Sequence, residues 1–523
     1  MGDTLLRIAA CLATTALLFA ATYKPLGALA QGGYKNGKFF RWIRRKDNLF
    51  YNRLCLLTLL CGLSVAVVSL AFSFWGANVS RALSAIPFFL FWILFVIVDR
   101  KYALKLPVRA TARLKRLAGV YVFVCLCFCY LFLSALFFLE RAVGKDLYTL
   151  FAYVPFCALP LFFPPLMAFA NLLTSPFENG KNKKFVERMG QVLNETEILR
   201  VGITGSYGKT SVKNVLKTLL EEKYTVLATP ESYNTPIGIA KTVQDGDLAG
   251  AQILIAEMGA RQMGDIKELC ELVNPDFGIL TGVCAQHIET FSSEENVFAE
   301  KTELVKAAKK TVCGRSVYEK LKENEACIPV LEAQNLQLFA ERTEFDFAVD
   351  GKLFHVKTKL LGESAAENIL LAATLCLQLG MTGEEILRGV ERLEYIPHRL
   401  ALSEVSGGYI LDDGYNASER SAKEAVAALK RFSCEKTVVT PGIVEAGILE
   451  EKINRDLGAL FVGLDRVILV GETLVGAVKS GYLSAGGDPE KLFVVPTLES
   501  AKAVLRDSWE GVALFLNDLP DVY

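Results

Sequence analysis

The sequence has no excess of either charge: 57 Lys and Arg balance 57 Asp and Glu. Bulk electrostatics therefore give no reason to expect a nucleic acid partner. Histidine is scarce, with three in the chain, His287, His355 and His398. The 13 cysteines include no CxxC pair, which removes the usual spacing of a structural zinc site. Seven of them, Cys125, Cys127 and Cys129 included, lie in apolar runs of the first third, and the rest are scattered. That pattern suits small buried thiols in a reducing compartment rather than a disulfide framework. No motif suggests a nucleophilic triad.

Apolar residues are abundant, at 52%, and concentrated between Leu5 and Leu173. A bilayer span needs about 20 apolar residues. Segments 54–77, 82–98, 117–139 and 147–173 reach or approach that length, and 8–23 is a shorter candidate. Pro155, Pro160, Pro164 and Pro165 are expected to kink or break the last one. The connections alternate in charge. One carries Lys35, Lys38, Arg41, Arg44, Arg45, Lys46 and Arg53, and another Arg100, Lys101, Lys105, Arg109, Arg113, Lys115 and Arg116. A third basic cluster, Lys181, Lys183, Lys184 and Arg188, follows the last span. The positive-inside rule places all three in the cytoplasm, so about five spans put the N-terminus outside and everything after residue 175 inside. The basic segments also suit anionic lipid headgroups. A competing reading takes residues 1–30 as a cleaved signal peptide ending at Ala28-Leu29-Ala30. It leaves four spans but moves the first basic loop outside, breaking the alternation.

Past Phe177 the composition is that of a soluble protein. Residues 198–204 predict a strand, "GSYG" a glycine-rich turn, and 209–221 a helix, which is the context of a phosphate-binding loop. Glycines let backbone N–H groups approach phosphate, and the helix N-terminus adds its dipole. Gly205, Ser206, Gly208, Lys209, Thr210 and Ser211 are the candidate nucleotide-binding residues, with Lys209 reaching the terminal phosphates and the Thr210 hydroxyl ligating Mg²⁺. The strict G-x4-G-K-[ST] spacing is missed by one residue, since five separate Gly202 from Gly208. Further strands are expected at 252–256 and 277–281 and helices at 265–272 and 296–309, an α/β pattern with a mostly parallel sheet. Glu257 and His287 stand at or just beyond strand ends, where such sheets carry their chemistry.

Ordered motifs over residues 198–516 resemble the Mur ligase family, most closely its MurF-type branch, which adds D-alanyl-D-alanine. They are "TGSYGKTS" (204–211), "SYNTPIG" (232–238), "AEMGARQMGDI" (256–266), "HIETFSSEENVFAEKTEL" (287–304), "NILLAATL" (368–375), "HRLAL" (398–402) and "LDDGYNASERS" (411–421). The resemblance implies an ATP-dependent, ADP-forming ligase of peptidoglycan precursor synthesis that works through an acyl phosphate. Lys209 would then bind the ATP phosphates and Thr210 the first Mg²⁺, with Glu257 and His287 also on metal. Lys301, by residue type alone a solvated helix lysine, stands where the family carries a carbamylated lysine that helps hold a second Mg²⁺. Asn368 and Arg399 would contact the nucleotide, and Asp413, Tyr415 and Asn416 would close over it. The partners implied are a muramoyl peptide, UDP- or lipid-linked, and an amino acid or dipeptide.

Several positions depart from the family. Residues 1–175 replace its UDP-gripping domain. Ser418 and Glu419 replace its Asn-Pro, Ser364 stands where His is common, and "TPGIVEAG" (440–447) and "LFLNDLPDVY" (514–523) replace its C-terminal segments. The expected architecture is an α-helical membrane domain (1–175), a central P-loop ATPase domain (176–395) and a C-terminal Rossmann-like α/β domain (396–523), whose strands are expected at 436–440, 466–471, 492–495 and 512–516. The protein is then multi-pass in the cell membrane with cytoplasmic catalytic domains. Other readings are a different amine added to a lipid-linked muropeptide, an amidating relative, or a nucleotide-gated transporter or scaffold. The missing four-cysteine zinc insertion argues against the amidating relative, and the absence of ionisable residues well inside the spans against a transporter.

Overall fold

The structure is a computed structural model. It describes all residues except 1, 45–48, 76, 101–107, 109, 144–156, 158, 232, 285–290, 292, 416, 445–448, 472–473, 507–509 and 518–523. Two compact units divide the chain, Met1–Asn182 and Lys183–Pro520.

The first unit is helical. Its long helices are Gly2–Ala21, Leu49–Ala71, Ala77–Arg100 and Ala112–Val143, and a fifth, Phe163–Asn194, runs on past the boundary between the units. Leu54, Cys61, Val65, Trp92, Tyr121 and Phe163 pack its interior. The opposite faces are apolar too. Leu56, Leu59, Leu63, Val67 and Leu70 recur every three or four residues on one helix and are exposed, as are Ile86, Leu90, Ile93 and Ile97 on the next. Helices that are apolar all round are otherwise found in buried or membrane settings. Among the described residues two stretches are long and apolar enough to cross a bilayer, Arg53–Ala71 and Ala112–Phe132. Cys11–Ala21 and Ile86–Asp99 are apolar but shorter.

Two details differ from the sequence reading. The apolar run 54–77 is not one helix: it ends at Ala71, and a 3₁₀ turn, Ser73–Trp75, leaves Phe74 and Trp75 exposed before the next helix. The basic stretch after Tyr23 is not a plain loop but holds the helices Tyr23–Gln31 and Asn36–Arg44. The latter turns Phe39 and Trp42 inward and Arg41 and Arg44 outward. The segment expected at 147–173 is described only in part. Its helix starts at Phe163, so Pro164 and Pro165 fall in the first turn, where no intrahelical N–H is required.

The second unit holds two sheets of six strands and one of three. β1 (Leu199–Thr204), β2 (Val226–Ala228), β3 (Ile253–Glu257), β4 (Phe277–Leu280), β5 (Lys310–Cys313) and β6 (Cys327–Pro329) are all parallel, in the order β2-β3-β1-β4-β5-β6. Val201, Ile203, Ile255 and Ile279 are fully buried, as expected of a sheet covered on both faces. The chain builds β2 and β3 on one side of β1 and then crosses to β4 on the other, so the topological switch point lies at the C-terminal end of β1. The helices Lys209–Leu220 and Glu363–Gln378 share this core with the antiparallel strands β8 (Thr343–Val349) and β9 (Lys352–Thr358), which follow β7 (Gln334–Leu338). Asp350 and Gly351 join β8 to β9 with φ of 50° and 78°, the left-handed pair a two-residue hairpin turn requires.

β10 (Ala401–Val405) and β11 (Gly408–Asp413) form a hairpin. β12 (Glu435–Thr440), β13 (Arg466–Val470), β14 (Leu492–Val495) and β15 (Gly511–Leu516) complete a sheet ordered β10-β11-β15-β12-β13-β14, parallel beyond the hairpin. Its core is separate, built from Leu411, Val438, Val467, Leu514 and the helix Glu419–Lys430. The strands expected at 436–440, 466–471, 492–495 and 512–516 fall on β12 to β15.

Candidate active site

The site grows from the switch point. After Thr204 the chain turns through Gly205 and Gly208, whose φ values are 152° and 75°. A side chain at Gly205 would place its Cβ 2.0 Å from Thr281 Oγ1, so the close approach of the two strand ends demands glycine there. Gly208 caps the helix Lys209–Leu220 from the left-handed region and brings no side-chain cap. The first-turn N–H groups are thus available to an anion.

Lys209 folds over the loop, its Nζ 2.7 Å from the Gly205 carbonyl oxygen. Burial pushes its ammonium below the usual lysine range, and Arg399 adds to this while Glu257 opposes it. Ser206 faces the loop rather than outward: its Oγ donates to the Cys284 carbonyl at 3.2 Å and accepts the Cys284 N–H at 3.1 Å. Ser211 lies half-buried in the helix's first turn.

Register delivers the next group. Ile203 pairs with Glu257 across β1 and β3, placing that carboxylate beside the loop. Glu257 is 1% exposed and accepts three side-chain donors. Thr210 Oγ1 lies 3.0 Å from Oε2, Asn234 Nδ2 3.1 Å from Oε1, and Lys213 Nζ 3.0 Å from Oε2. Lys213 is itself 2% exposed and also donates to the Glu231 carbonyl. Sequence reasoning passed over Lys213. The available signal was its place one turn after Lys209, on a helix face with Val212, Val215, Leu216 and Leu219 buried around it.

Lys301, on the helix Glu294–Ala307, is 4% exposed. Burial, reinforced by the charge of Lys209, lowers its ammonium to about 7, against the pull of Glu300 and Asp265. Asn368 abuts the loop, since a Cβ on Gly208 would meet its Oδ1 at 2.9 Å. The second sheet contributes Arg399, Asp413 and Tyr415. Arg399 lies 4.3 Å over the Tyr415 ring, between His398 and Leu400, both left-handed at φ 60° and 50°. Such backbone is held only where its surroundings enforce it. Asp413 is buried at the end of β11 and accepts the Leu400 N–H at 3.2 Å. Burial raises it to about 7, opposed by Arg399. Asn517, also unread in the sequence, pins this corner: its Oδ1 accepts the Ala417 N–H and its Nδ2 donates to the Gly442 carbonyl. His287 and Asn416 lie outside the described residues.

Among the described residues no three His, Cys, Asp or Glu side chains cluster for a metal. The Thr210 hydroxyl and the Glu257 carboxylate nevertheless meet at the loop. Both are hard oxygen donors of the kind Mg²⁺ takes beside phosphate, so the donor set fits.

Comparison with known proteins bears on the fold around this site. Residues 203–376 match the Mur ligase middle domain. The chain is 28% identical over 293 residues to the UDP-N-acetylmuramoyl-tripeptide--D-alanyl-D-alanine ligase of Bacillus subtilis, covering 52% of this chain and 62% of that protein. It is 27% identical to the enzyme of that name in Escherichia coli, covering 52% of this chain and 64% of that one. It thus spans less than two thirds of the length of these relatives. The MurF ligase of Thermotoga maritima in complex with ADP superposes with a TM-score of 0.58 at 25% identity, covering 65% of this chain and 81% of that chain. MurF from Acinetobacter baumannii, at 19% identity, gives the same TM-score over 65% and 78% and shares the fold. The α/β domains therefore have the Mur ligase fold.

Two outcomes follow from the buried charges. Lys213→Met leaves Glu257 buried without its ion-pair partner and is expected to cost about 3–5 kcal/mol in denaturant unfolding. Lys301→Met in bicarbonate-free buffer is expected to be more stable than the parent. Lys301 has its proton held less tightly in the fold than in the unfolded chain, so the parent gains stability as pH rises from about 7 towards 10.5. The advantage of the variant should be largest at pH 7 and below, and fade across that window in thermal melts.

Proposed function

We propose that this chain, whose central segment matches the Mur ligase middle domain, is an ATP-dependent, ADP-forming ligase that joins D-alanyl-D-alanine to a muramoyl peptide. The observation that carries this reading is the convergence on one phosphate loop of Lys209, Thr210 and Glu257 from the first sheet and Arg399, backed by Asp413, from the second. The names of the relatives supply the substrate class.

In the proposed chemistry a carboxylate of the muramoyl peptide attacks the γ-phosphorus of ATP. The bond to the bridging oxygen breaks and ADP departs, leaving an acyl phosphate. The amine of the dipeptide then adds to the acyl carbon, and the tetrahedral species collapses with loss of phosphate and a proton. Lys209 and the first-turn N–H groups neutralise charge as it moves onto the transferred phosphoryl oxygens, which is where preorganised donors contribute most. Thr210 and Glu257 would hold Mg²⁺, which when bound supplies further neutralisation of the phosphate oxygens. Lys213 and Asn234 fix the Glu257 carboxylate in place. Arg399, stacked on Tyr415, orients the nucleotide from the second sheet, with Asn368 at the loop.

Lys301 fits the carbamylated role the resemblance assigns. A buried lysine near 7 offers an uncharged amine at neutral pH, the form that reacts with CO₂. The resulting carbamate would face Lys209 as an anion and, with His287, help hold a second Mg²⁺.

The first unit is proposed as a multi-pass membrane anchor over residues 1–175, with the central domain at 176–395 and the C-terminal domain at 396–523 on the cytoplasmic side. Its outward faces are apolar, and basic residues flank them. An anchor standing where a UDP-gripping domain is expected favours an acceptor already linked to lipid, with the UDP-linked form as the other possibility.

The deciding measurement is phosphate release by the full-length protein in nanodiscs, with UDP-linked or lipid-linked muramoyl tripeptide. Turnover is expected to require D-alanyl-D-alanine with at least one of the two. Release that never depends on the dipeptide removes the assignment. Lys209→Ala is expected to lower kcat by roughly 100- to 1000-fold or more.

A further inference from the structure

Two departures from the family pattern, at Ser364 and in the "NASERS" stretch, meet at one surface inside the second unit. The helix Glu419–Lys430 presents Arg420 and Glu424 one turn apart, on one face. Arg420 reaches Tyr207, the residue between Ser206 and Gly208 of the phosphate loop. Its Nη1 donates to the Tyr207 hydroxyl at 2.5 Å, and its guanidinium carbon sits 4.4 Å from the ring centroid. Its Nη2 donates to Glu367, next to Asn368, at 2.6 Å. Tyr207 is wedged in place, since any side chain at Gly282 would strike its hydroxyl at 2.1 Å.

Glu424 makes the second grip. The helix Glu363–Gln378 begins at Gly362, which supplies no side-chain cap. The Glu424 carboxylate provides one from the other domain, accepting the Ser364 N–H at 2.6 Å as well as the Ser364 hydroxyl. A Cβ on Gly362 would lie 2.3 Å from Glu424 Oε1, so the fit depends on glycine there.

We propose that Arg420 and Glu424 are positioning residues that clasp the C-terminal domain onto the phosphate loop, so that a bound nucleotide leaves only when the clasp opens. The clasp rests on the nucleotide-binding reading above but not on the identity of acceptor or amine. Arg420 fastens the loop that would hold the phosphates, and Glu424 fastens the helix that carries Asn368. A planar guanidinium serves ring, hydroxyl and carboxylate together, which an ammonium does not.

The test is the dissociation rate of a fluorescent ADP analogue from the full-length protein, by displacement in stopped flow. Arg420→Ala is expected to release it about tenfold faster, as loss of a charge-assisted contact raises off-rates. Arg420→Lys should recover part of the loss. Tyr207→Phe, which keeps the ring and changes no charge, should accelerate release less, and the double variant no more than Arg420→Ala alone. Glu424→Gln should also accelerate release. Tyr207→Phe and Glu424→Gln keep side-chain size and so retain the test if Arg420→Ala folds poorly. Unchanged release in these variants, or additive effects of Tyr207→Phe and Arg420→Ala, overturns the clasp alone. A parent protein that binds no ADP overturns the nucleotide reading and the clasp with it.

Discussion

The second unit turns on one buried carboxylate. Glu257 ends β3 inside a parallel sheet, where an unpaired charge would cost several kcal/mol. It is tolerated because Thr210, Asn234 and Lys213 each donate to it. Those donors come from the phosphate-loop helix and from the segment following β2, so satisfying the charge also fixes both against the strand end. Lys213 is equally dependent, since a buried ammonium needs its acid. Packing and chemistry are therefore one constraint: the pair that secures the helix also aims a carboxylate at the place where phosphate and Mg²⁺ are proposed to sit.

The sheet order turns that local pair into a site. β1 lies between β3 and β4, so its end gathers Glu257 on one side and Thr281 on the other. The C-terminal sheet adds the groups that a single-domain phosphate site lacks. Arg399 is presented between two left-handed non-glycine residues, and Asp413 is buried enough to rise to about 7. Asn517 ties the Asp413 corner to the strand-end segment at Gly442. Left-handed backbone at His398 and Leu400 and the burial of Asp413 fall where the two sheets would share one nucleotide, as expected if the surrounding fold enforces that geometry.

The sequence was most legible where one residue type has one use. Gly205, Gly208, Lys209 and Thr210 are readable because a loop this tight admits few alternatives, and Glu257 because it ends an apolar run of strand length. Short elements escaped: β2 and β6 have three residues each, below the length at which periodicity separates strand from helix. β7 is almost wholly exposed. Helix ends in the apolar third were misplaced because hydropathy runs on through Phe74 and Trp75, whereas the backbone stops at Ala71. Side-chain roles set by distant partners left little trace. Lys213 and Lys301 are chemically ordinary lysines until burial is known, and Arg420 meets Tyr207 across 213 residues of sequence.

The first unit answers to a different physical demand. A helix in water earns its place with one apolar face, yet Leu49–Ala71 hides Leu54, Cys61 and Val65 and shows Leu56, Leu59, Leu63 and Val67. Leaving those side chains in water would forgo roughly 1.5–3 kcal/mol each relative to burial. A run of them on neighbouring helices is sustainable only where lipid or another apolar surface replaces water. The basic face of Asn36–Arg44, with Phe39 and Trp42 turned inward, has the composition of a helix lying along a headgroup layer. If that layer is the cytoplasmic one, an enzyme fixed there searches a plane rather than a volume for its acceptor. Such confinement benefits a ligase whose acceptor is confined to the same plane, and gives little to one whose acceptor is free in solution. Under the proposed function, a lipid-linked acceptor would give that apolar surface a use.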